Sequence, residues 1–218
     1  MRIFLDTAET SLIEEYFQTG LIDGVTTNPT LIKKSGKEPE DVYQKIKDIG
    51  LLDISMEIVA EETLDMVAEG RRLKEKYGEC TTIKLPCTRK GLRACKILAE
   101  ERIRVNVTLV FSVAQAILAA KSGAAYISPF VGRVDDNGFD GIDLITNISA
   151  LFREQMARTQ VLSASIRDVN SVSKSFSVGA DIVTMPPAIF DKMYNHILTD
   201  KGVELFNQDW ENVKSNES

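Results

Sequence analysis

The sequence predicts an α/β fold and, within that class, a closed (β/α)8 TIM barrel, in which eight parallel strands alternate with helices. Short runs rich in Val, Ile and Thr alternate with longer amphipathic stretches along the whole chain. Eight such runs can be identified, and no glycine-rich nucleotide-binding pattern, neither GxGxxG nor GxxxxGK(S/T), follows any of them. The closed barrel is therefore favoured over the alternative, an open doubly wound sheet.

The eight strands are predicted at residues 2–6, 24–28, 53–58, 82–86, 105–110, 125–130, 161–165 and 181–185. The stretches between them have the apolar spacing of helices that face a sheet, most clearly at residues 62–77 and 89–100. A further helical tail is predicted at about residues 199–214, after the eighth unit. Its apolar stripe is expected to pack on its own barrel or on a neighbouring subunit; the stripe contains Val203, Leu205, Phe206 and Trp210.

The composition is typical of one folded domain. The chain has 218 residues, 44% hydrophobic and 27% charged, without a dividing linker, so residues 1–218 are interpreted as a single domain. The net charge of −6 and the lack of a basic stripe argue against nucleic-acid binding. The apolar start is interrupted at Asp6, and no later run reaches membrane-spanning length. We therefore expect no membrane association and a cytoplasmic location.

Cysteine and histidine content narrows the chemistry further. Cys80, Cys87 and Cys95 form no CxxC pair, which indicates reduced thiols and neither a disulfide framework nor a zinc site. His196 is the single histidine, which argues against a metal site built on histidines, although an all-oxygen magnesium site stays open as an alternative. No cofactor is expected.

Lys84 is the most informative residue, because it lies inside the strand-like run Thr82-Ile83-Lys84-Leu85-Pro86. An ammonium group among apolar neighbours loses hydration, which favours the neutral amine, a nucleophile toward carbonyl carbons. Lys84 is therefore a candidate for Schiff-base formation. The alternative is a lysine at a frayed strand end, or one paired with a buried carboxylate.

Alternation along the strands predicts which polar residues share a face with Lys84, because residues two apart point to the same side. It assigns to the outer, helix-facing side Leu5, Met56, Ile83, Leu85, Val107, Leu109, Leu162 and Ala164. It assigns Ser163 and Ser165 to the barrel axis together with Lys84. The polar residues late in the predicted strands, where barrel active sites form, are Asp6, Thr26, Asn28, Glu57, Lys84, Asn106, Thr108, Ser128, Arg133, Ser165 and Arg167. Taken singly, each also fits a structural hydrogen bond.

These residue types suit carbon–carbon bond chemistry next to a carbonyl, which needs a sink for developing negative charge. An iminium on Lys84 would provide it. Asp6 and Glu57 are the inward acids for general acid–base catalysis, Glu57 through a water held by Thr26 or Thr108.

Other inward residues suit a sugar phosphate. Asn28 and Asn106 offer donors and acceptors for sugar hydroxyls. Arg133 and Arg167 suit a phosphate, with Ser128 and Ser165 as hydroxyl donors. For the arginines, the alternative is surface ion pairing with Asp135, Asp136 or Asp168.

Five strings carry a family resemblance: TTNPTLI, IKLP, NVTLVFSVAQA, ISPFVGR and ASIR. They resemble the transaldolase family, specifically its short single-domain branch, which also contains fructose-6-phosphate aldolases. The resemblance covers roughly residues 2–212. It implies a (β/α)8 barrel, a metal-free Schiff-base mechanism without cofactor, and transfer of a dihydroxyacetone unit between sugar phosphates. It also implies a homo-oligomer, a pentamer or decamer, whose C-terminal helix reaches a neighbouring subunit.

The resemblance assigns a role to each matching residue. Lys84 matches the Schiff-base lysine, Asp6 the acid beside the substrate hydroxyls, and Glu57 the acid that transfers protons through a water. Thr108 matches the residue that holds this water, and Thr26 lies beside these groups. The remaining matches are to residues that bind the dihydroxyacetone end, Asn28 and Asn106, and to hydroxyl and phosphate contacts, Ser128, Arg133, Ser165 and Arg167.

Two positions distinguish the sister activities. The aldolases tend to have Gln where this chain has Glu57 and Tyr where it has Phe130, so both positions favour a transaldolase of the non-oxidative pentose phosphate pathway. Ile166 replaces the usual Phe and predicts at most weaker or shifted phosphate affinity. The alternatives are a fructose-6-phosphate aldolase that releases free dihydroxyacetone, and a non-catalytic sugar-phosphate-binding barrel. The presence of Lys84, Asp6 and Glu57 argues against the latter.

Overall fold

The structure, a computed structural model, describes residues 1–216 and confirms the (β/α)8 barrel. Eight parallel strands close in sequence order, with β8 paired to β1, so the open sheet is excluded. Each strand lies within two residues of its predicted position. The strands are β1 (Arg2–Asp6), β2 (Gly24–Thr26), β3 (Ile54–Glu57), β4 (Thr81–Pro86), β5 (Arg104–Val110), β6 (Tyr126–Pro129), β7 (Gln160–Ser163) and β8 (Ile182–Met185).

Helices follow every strand, and three strands, β2, β6 and β8, are followed by a pair of helices. The helices are α1 (Thr10–Phe17), α2 (Pro29–Ser35), α3 (Pro39–Ile49), α4 (Thr63–Tyr77), α5 (Arg89–Glu100), α6 (Val113–Lys121), α7 (Val131–Asp136), α8 (Gly141–Glu154), α9 (Val169–Ser177), α10 (Pro187–Lys192) and α11 (Ile197–Asn216). The helices predicted at 62–77 and 89–100 correspond to α4 and α5. The extra C-terminal helix is α11, which begins two residues before the predicted start.

Capping side chains mark where several of the helices begin, in most cases shortly after a strand. The Asn28 side chain accepts the N–H of Leu31 at 3.0 Å and caps α2, whose first residue is Pro29. The same kind of cap is formed at α5, α6, α8 and α9 by Thr88, Ser112, Asp140 and Asp168. These caps place polar side chains at the carboxyl-terminal end of the barrel.

Two apolar layers hold the barrel together. The larger lies between strands and helices, and a smaller cluster fills the interior with Phe4, Tyr126, Leu162, Ala164 and Ile182. Beneath it, the buried carboxylate of Asp53 accepts hydrogen bonds from Thr82, Arg104 and Tyr126. The amino-terminal end of the barrel is thus filled by packed and hydrogen-bonded side chains.

The alternation rule is wrong at the end of β5 and along β7. Leu162 and Ala164, assigned to the outer layer, pack inside the barrel, and the hydroxyl of Ser163 faces outward to Ser175 on α9 at 2.9 Å. Leu109 lines the interior cavity instead of the helical layer. A register shift between Val107 and Val110, with a left-handed φ of 59° at Leu109, breaks the two-residue period there.

Within residues 1–216, no helix is both long enough and apolar enough to cross a membrane. Helix α11 nevertheless carries large exposed apolar side chains. Phe206 is 76% exposed and Trp210 61% exposed, and Leu205 and Val203 are also exposed. The predicted apolar stripe is therefore not covered by the barrel of its own chain.

Candidate active site

A cavity of about 330 Å³ opens at the carboxyl-terminal ends of the strands, where the active sites of (β/α)8 barrels form. Most of the predicted site residues line it: Asp6, Thr26, Asn28, Glu57, Lys84, Ser128, Phe130, Arg133 and Ser165. The structure thus brings together residues from β1, β2, β3, β4 and β6, from the loops that follow β2, β6 and β7, and from α7.

Lys84 lies at the base of this cavity and is 5% exposed. It is in register with Glu57 on the adjacent strand β3, so the two side chains point to the same face. Lys84 Nζ is 3.0 Å from Glu57 Oε2 and donates a hydrogen bond to the carbonyl of Thr27 at 2.9 Å. Glu57 is therefore in position to exchange a proton with the Lys84 amine.

Asp6 is the second acid of the cavity and has a distinct environment. Burial raises the pKa of its carboxyl and the charge of Glu57 adds to this effect, whereas the charge of Lys84 and a hydrogen bond from Thr26 act in the opposite direction. Thr26 Oγ1 is 2.8 Å from Asp6 Oδ1 and 2.7 Å from Thr184 Oγ1. Since Thr26 has one hydroxyl proton and gives it to Asp6, Thr184 must be the donor to Thr26.

Asn106 lies beside Lys84 in the barrel but beneath the cavity wall. It is in register with Lys84 and fully buried. Its Nδ2 donates to Ser55 Oγ at 3.2 Å, and its Oδ1 accepts from Ser128 Oγ at 2.7 Å. In this arrangement Asn106 orients Ser128, which does line the cavity.

Thr108 also lies outside the wall. It is 1% exposed, and its Oγ1 has no hydrogen-bond partner among the described residues. Buried hydroxyls nearly always have a partner, so this group has hydrogen-bonding capacity left. Its role in holding a water stays a prediction.

The two predicted phosphate-binding arginines differ in placement. Arg133 lies on α7, not at a strand end, and lines the cavity with its guanidinium 4.8 Å from the ring centre of Phe130. Arg167 lies outside the wall and forms a bidentate ion pair with Asp136, which was the alternative that the sequence left open. This pair raises the pKa of the Arg167 guanidinium.

The backbone near these arginines is closely packed. Ser165 reaches the cavity through a left-handed φ of 59°, not through strand alternation. A Cβ on Gly132 would lie 2.3 Å from the carbonyl oxygen of Ser165 and 2.8 Å from Arg167 Nε. Glycine is therefore required where α7 passes Arg167. Ile166, which lies between Ser165 and Arg167 in the sequence, is buried in the apolar layer between strands and helices.

Five wall residues were not predicted: Pro29, Thr30, Leu109, Ala164 and Thr184. Thr184 had a usable signal, because in β8 it alternates with Val183 and Met185, which belong to the outer core. Pro29 and Thr30 follow Asn28 in the first turn of α2. Leu109 and Ala164 were assigned to the wrong face.

Among residues 1–216, no group of three or more His, Cys, Asp or Glu side chains is arranged to hold a metal ion. The ionisable groups at the cavity are instead two acids, a buried lysine and an arginine. A closed barrel with such groups at the carboxyl ends of its strands defines the chain as a (β/α)8-barrel enzyme.

Comparison with known proteins identifies the family. The chain belongs to the transaldolase/fructose-6-phosphate aldolase family, whose model matches residues 3–217. It is 50% identical over 210 residues to a probable transaldolase of Paracoccus denitrificans and 51% identical over 210 residues to one of Caulobacter vibrioides, covering 96% of each chain in both cases. It is 48% identical over 216 residues to a probable transaldolase of Nitrosopumilus maritimus, with 99% of this chain and 97% of the relative covered.

Proposed function

We propose that this protein is a class I, metal-independent transaldolase. It transfers a dihydroxyacetone unit from sedoheptulose 7-phosphate or fructose 6-phosphate to glyceraldehyde 3-phosphate or erythrose 4-phosphate, in the non-oxidative pentose phosphate pathway. The observation that carries the proposal is the placement of Lys84, Glu57 and Asp6 around one cavity. The names of the relatives point in the same direction.

The first half of the reaction forms the Schiff base. Lys84 gives a proton to Glu57, and its neutral amine attacks the C2 carbonyl of the donor ketose. The carbinolamine loses water as Glu57 returns a proton to the departing hydroxyl. The product is an iminium between Lys84 Nζ and C2.

The second half breaks and forms a carbon–carbon bond. As the C4 hydroxyl gives its proton to the Asp6 carboxylate, the C3–C4 bond breaks and its electron pair moves to the iminium nitrogen, which leaves an enamine. The aldose departs, the enamine carbon adds to the acceptor aldehyde, and Asp6 returns the proton to the new alkoxide. Burial suits Asp6 to this task, because a raised pKa makes the carboxyl a better proton acceptor.

The other wall residues would bind the sugar phosphate. Asn28 uses its carbonyl oxygen to cap α2, so its amide N–H groups are left for a substrate hydroxyl. Arg133 supplies positive charge and Ser165 a hydroxyl donor for the phosphate, and Arg167 reaches it after exchange of its Asp136 partner. Ser128 donates its hydroxyl proton to Asn106, so it faces the cavity as an acceptor for a substrate hydroxyl.

Borohydride reduction tests the Schiff base. The protein is incubated with fructose 6-phosphate and borohydride, and the site of the stable adduct is located by peptide mass spectrometry. We expect the adduct on Lys84. Lys90→Met is the matched control, because Lys90 is an exposed lysine paired with Glu62. An adduct absent from Lys84 would contradict the mechanism, and calorimetric substrate binding without turnover would favour a non-catalytic barrel.

Phe130 and Glu57 favour transfer over simple aldol cleavage. Phe130 lines the cavity, and its ring offers no hydroxyl to hold a water or proton donor that would suit release of free dihydroxyacetone. The assay compares product formation from fructose 6-phosphate with and without erythrose 4-phosphate. Acceptor-independent release of dihydroxyacetone at comparable speed would assign the aldolase activity instead.

We also propose that the chain forms a homo-oligomer, a pentamer or decamer, in the cytoplasm. The exposed Phe206 and Trp210 of α11 support the first part, since a neighbouring subunit would bury them. The free thiols of Cys80, Cys87 and Cys95 suit a reducing compartment. Light scattering on the wild type and on Phe206→Ser tests the assembly; a monomeric wild type would contradict it.

A further inference from the structure

A second polar cavity, of about 340 Å³, lies at the opposite end of the barrel from the candidate active site. It is formed where α8 ends and β7 and β8 begin, and its wall includes Ser149, Arg153, Arg158, Gly179 and Asp181. None of these residues has a part in the proposed reaction.

Ser149 contributes a buried hydroxyl to this wall. The residue is 5% exposed, and its Oγ has no hydrogen-bond partner among the described residues. A buried polar atom without a partner is rare in folded proteins and calls for a ligand or another specific reason. Arg153 lies four residues later on α8, so it shares the face of Ser149.

Two arginines give the cavity its charge. Within residues 1–216, neither Arg153 nor Arg158 takes part in an ion pair, and both are exposed. Gly179 adopts a φ of 108°, and a Cβ there would lie 3.0 Å from Arg153 Nη2 and 3.2 Å from Ser149 Cβ. The absence of a side chain at Gly179 therefore leaves room for the Arg153 guanidinium to approach Ser149.

Asp181, the acidic residue of this cavity wall, already accepts a hydrogen bond from the backbone. Asp181 Oδ2 accepts the N–H of Val161 at 2.8 Å, so this carboxylate is directed to the start of β7. Two guanidinium groups and one hydroxyl donor match a phosphate group, which carries close to two negative charges and three acceptor oxygens at neutral pH. We propose that this cavity binds a phosphate group, as the free anion or as part of a phosphate ester.

Calorimetric titration of the full chain with inorganic phosphate, at fixed ionic strength, tests the proposal. Arg133→Gln serves as background in every sample, so that phosphate binding at the candidate active site is weakened throughout. We expect the remaining binding to disappear when Arg153→Gln and Arg158→Gln are added. It should persist with Arg93→Gln, which removes an exposed arginine that does not line the cavity. Equal titrations with and without the Arg153 and Arg158 substitutions would overturn the proposal.

Ser149→Ala separates binding from folding. Because the hydroxyl has no protein partner to lose, the melting temperature without phosphate should not fall, whereas phosphate affinity should fall about tenfold. Unchanged affinity would show that the hydroxyl does not contact the anion and would overturn its assignment. Titration with fructose 6-phosphate in place of phosphate identifies the source, counting only the binding that is lost when Arg153→Gln and Arg158→Gln are added: tighter binding of the ester indicates a sugar phosphate, and equal or tighter binding of phosphate indicates the free anion.

Discussion

Thr184→Val tests the hydrogen-bond chain that ends at Asp6. Thr184 donates to Thr26, and Thr26 donates to the Asp6 carboxylate. The substitution removes the first donor and keeps the shape of the side chain, while the direct bond from Thr26 to Asp6 remains. Thr26→Val, in contrast, removes the direct bond.

The size of the stability effect follows from burial. Thr184 is 2% exposed and Thr26 is 1% exposed, so the lost bond is a buried one. Loss of one such neutral hydrogen bond costs about 1 kcal/mol of unfolding free energy. For a chain of 218 residues this corresponds to a fall in melting temperature of about 2–4 °C.

The two substitutions should shift the pH dependence of catalysis in the same direction but by different amounts. The hydrogen bond from Thr26 lowers the pKa of Asp6, so its removal raises this pKa. If Asp6 acts as a carboxylate, the acid limb of kcat/KM against pH moves to higher pH in Thr26→Val. Thr184→Val should move it less in the same direction, because Thr184 acts only by polarising the Thr26 hydroxyl.

The assay is the pH profile of kcat/KM for fructose 6-phosphate with erythrose 4-phosphate as acceptor. Thr184→Ser retains the hydroxyl and should keep the wild-type profile. Ser163→Ala, on the outer face of β7, is a second control and should also leave the profile unchanged. The reasoning is refuted if Thr184→Val moves the acid limb as far as Thr26→Val, or moves it to lower pH.

Three further predictions follow from the geometry. Lys84→Met should abolish turnover while circular dichroism shows a retained fold; residual turnover at wild-type speed would exclude the Schiff base. Arg167→Ala should raise KM for phosphorylated donors, and Asp136→Asn should lower it by freeing Arg167; an equal effect of Arg167→Ala on an unphosphorylated donor would contradict the assignment. The raised pKa of Asp6 contributes stability below its unfolded value near 3.8 that is lost as pH rises through the folded value. Urea melts should therefore show Asp6→Asn gaining stability relative to wild type between acid and neutral pH, and parallel curves would refute this.

The fold was predictable because regular alternation dominates most strands. The meeting of Lys84 with Glu57 follows from strand order, the parity of each strand and the in-register pairing of β3 with β4. The parity can be read from local sequence, since apolar residues on one face and polar residues on the other fix the rotation of each strand.

The errors occur where the backbone leaves the regular strand. At Leu109 and Ser165, a left-handed φ turns the chain, and counting by two no longer gives the correct face. In β7, Ser163 bonds to Ser175 outside the barrel, and the interior takes Leu162 and Ala164 instead. The polarity of serine did not distinguish a hydrogen bond to a helix from a place in the cavity.

The two ends of the barrel show why one carboxylate is structural and others are candidates for chemistry. At the amino-terminal end, Asp53 receives hydrogen bonds from Thr82, Tyr126 and Arg104, with Arg2 at 3.8 Å, so both of its oxygens are held by buried protein donors. At the other end, Glu57 is bonded by Lys84 alone among the described residues, and both face the cavity. Asp53 is buried away from the cavity and meets no substrate there, whereas Glu57 lines the cavity and retains free lone pairs next to the amine. The pairing of a carboxylate with a cationic side chain is therefore structural at the amino-terminal end, where Asp53 meets Arg104. At the carboxyl-terminal end, Glu57 and Lys84 form such a pair next to the cavity.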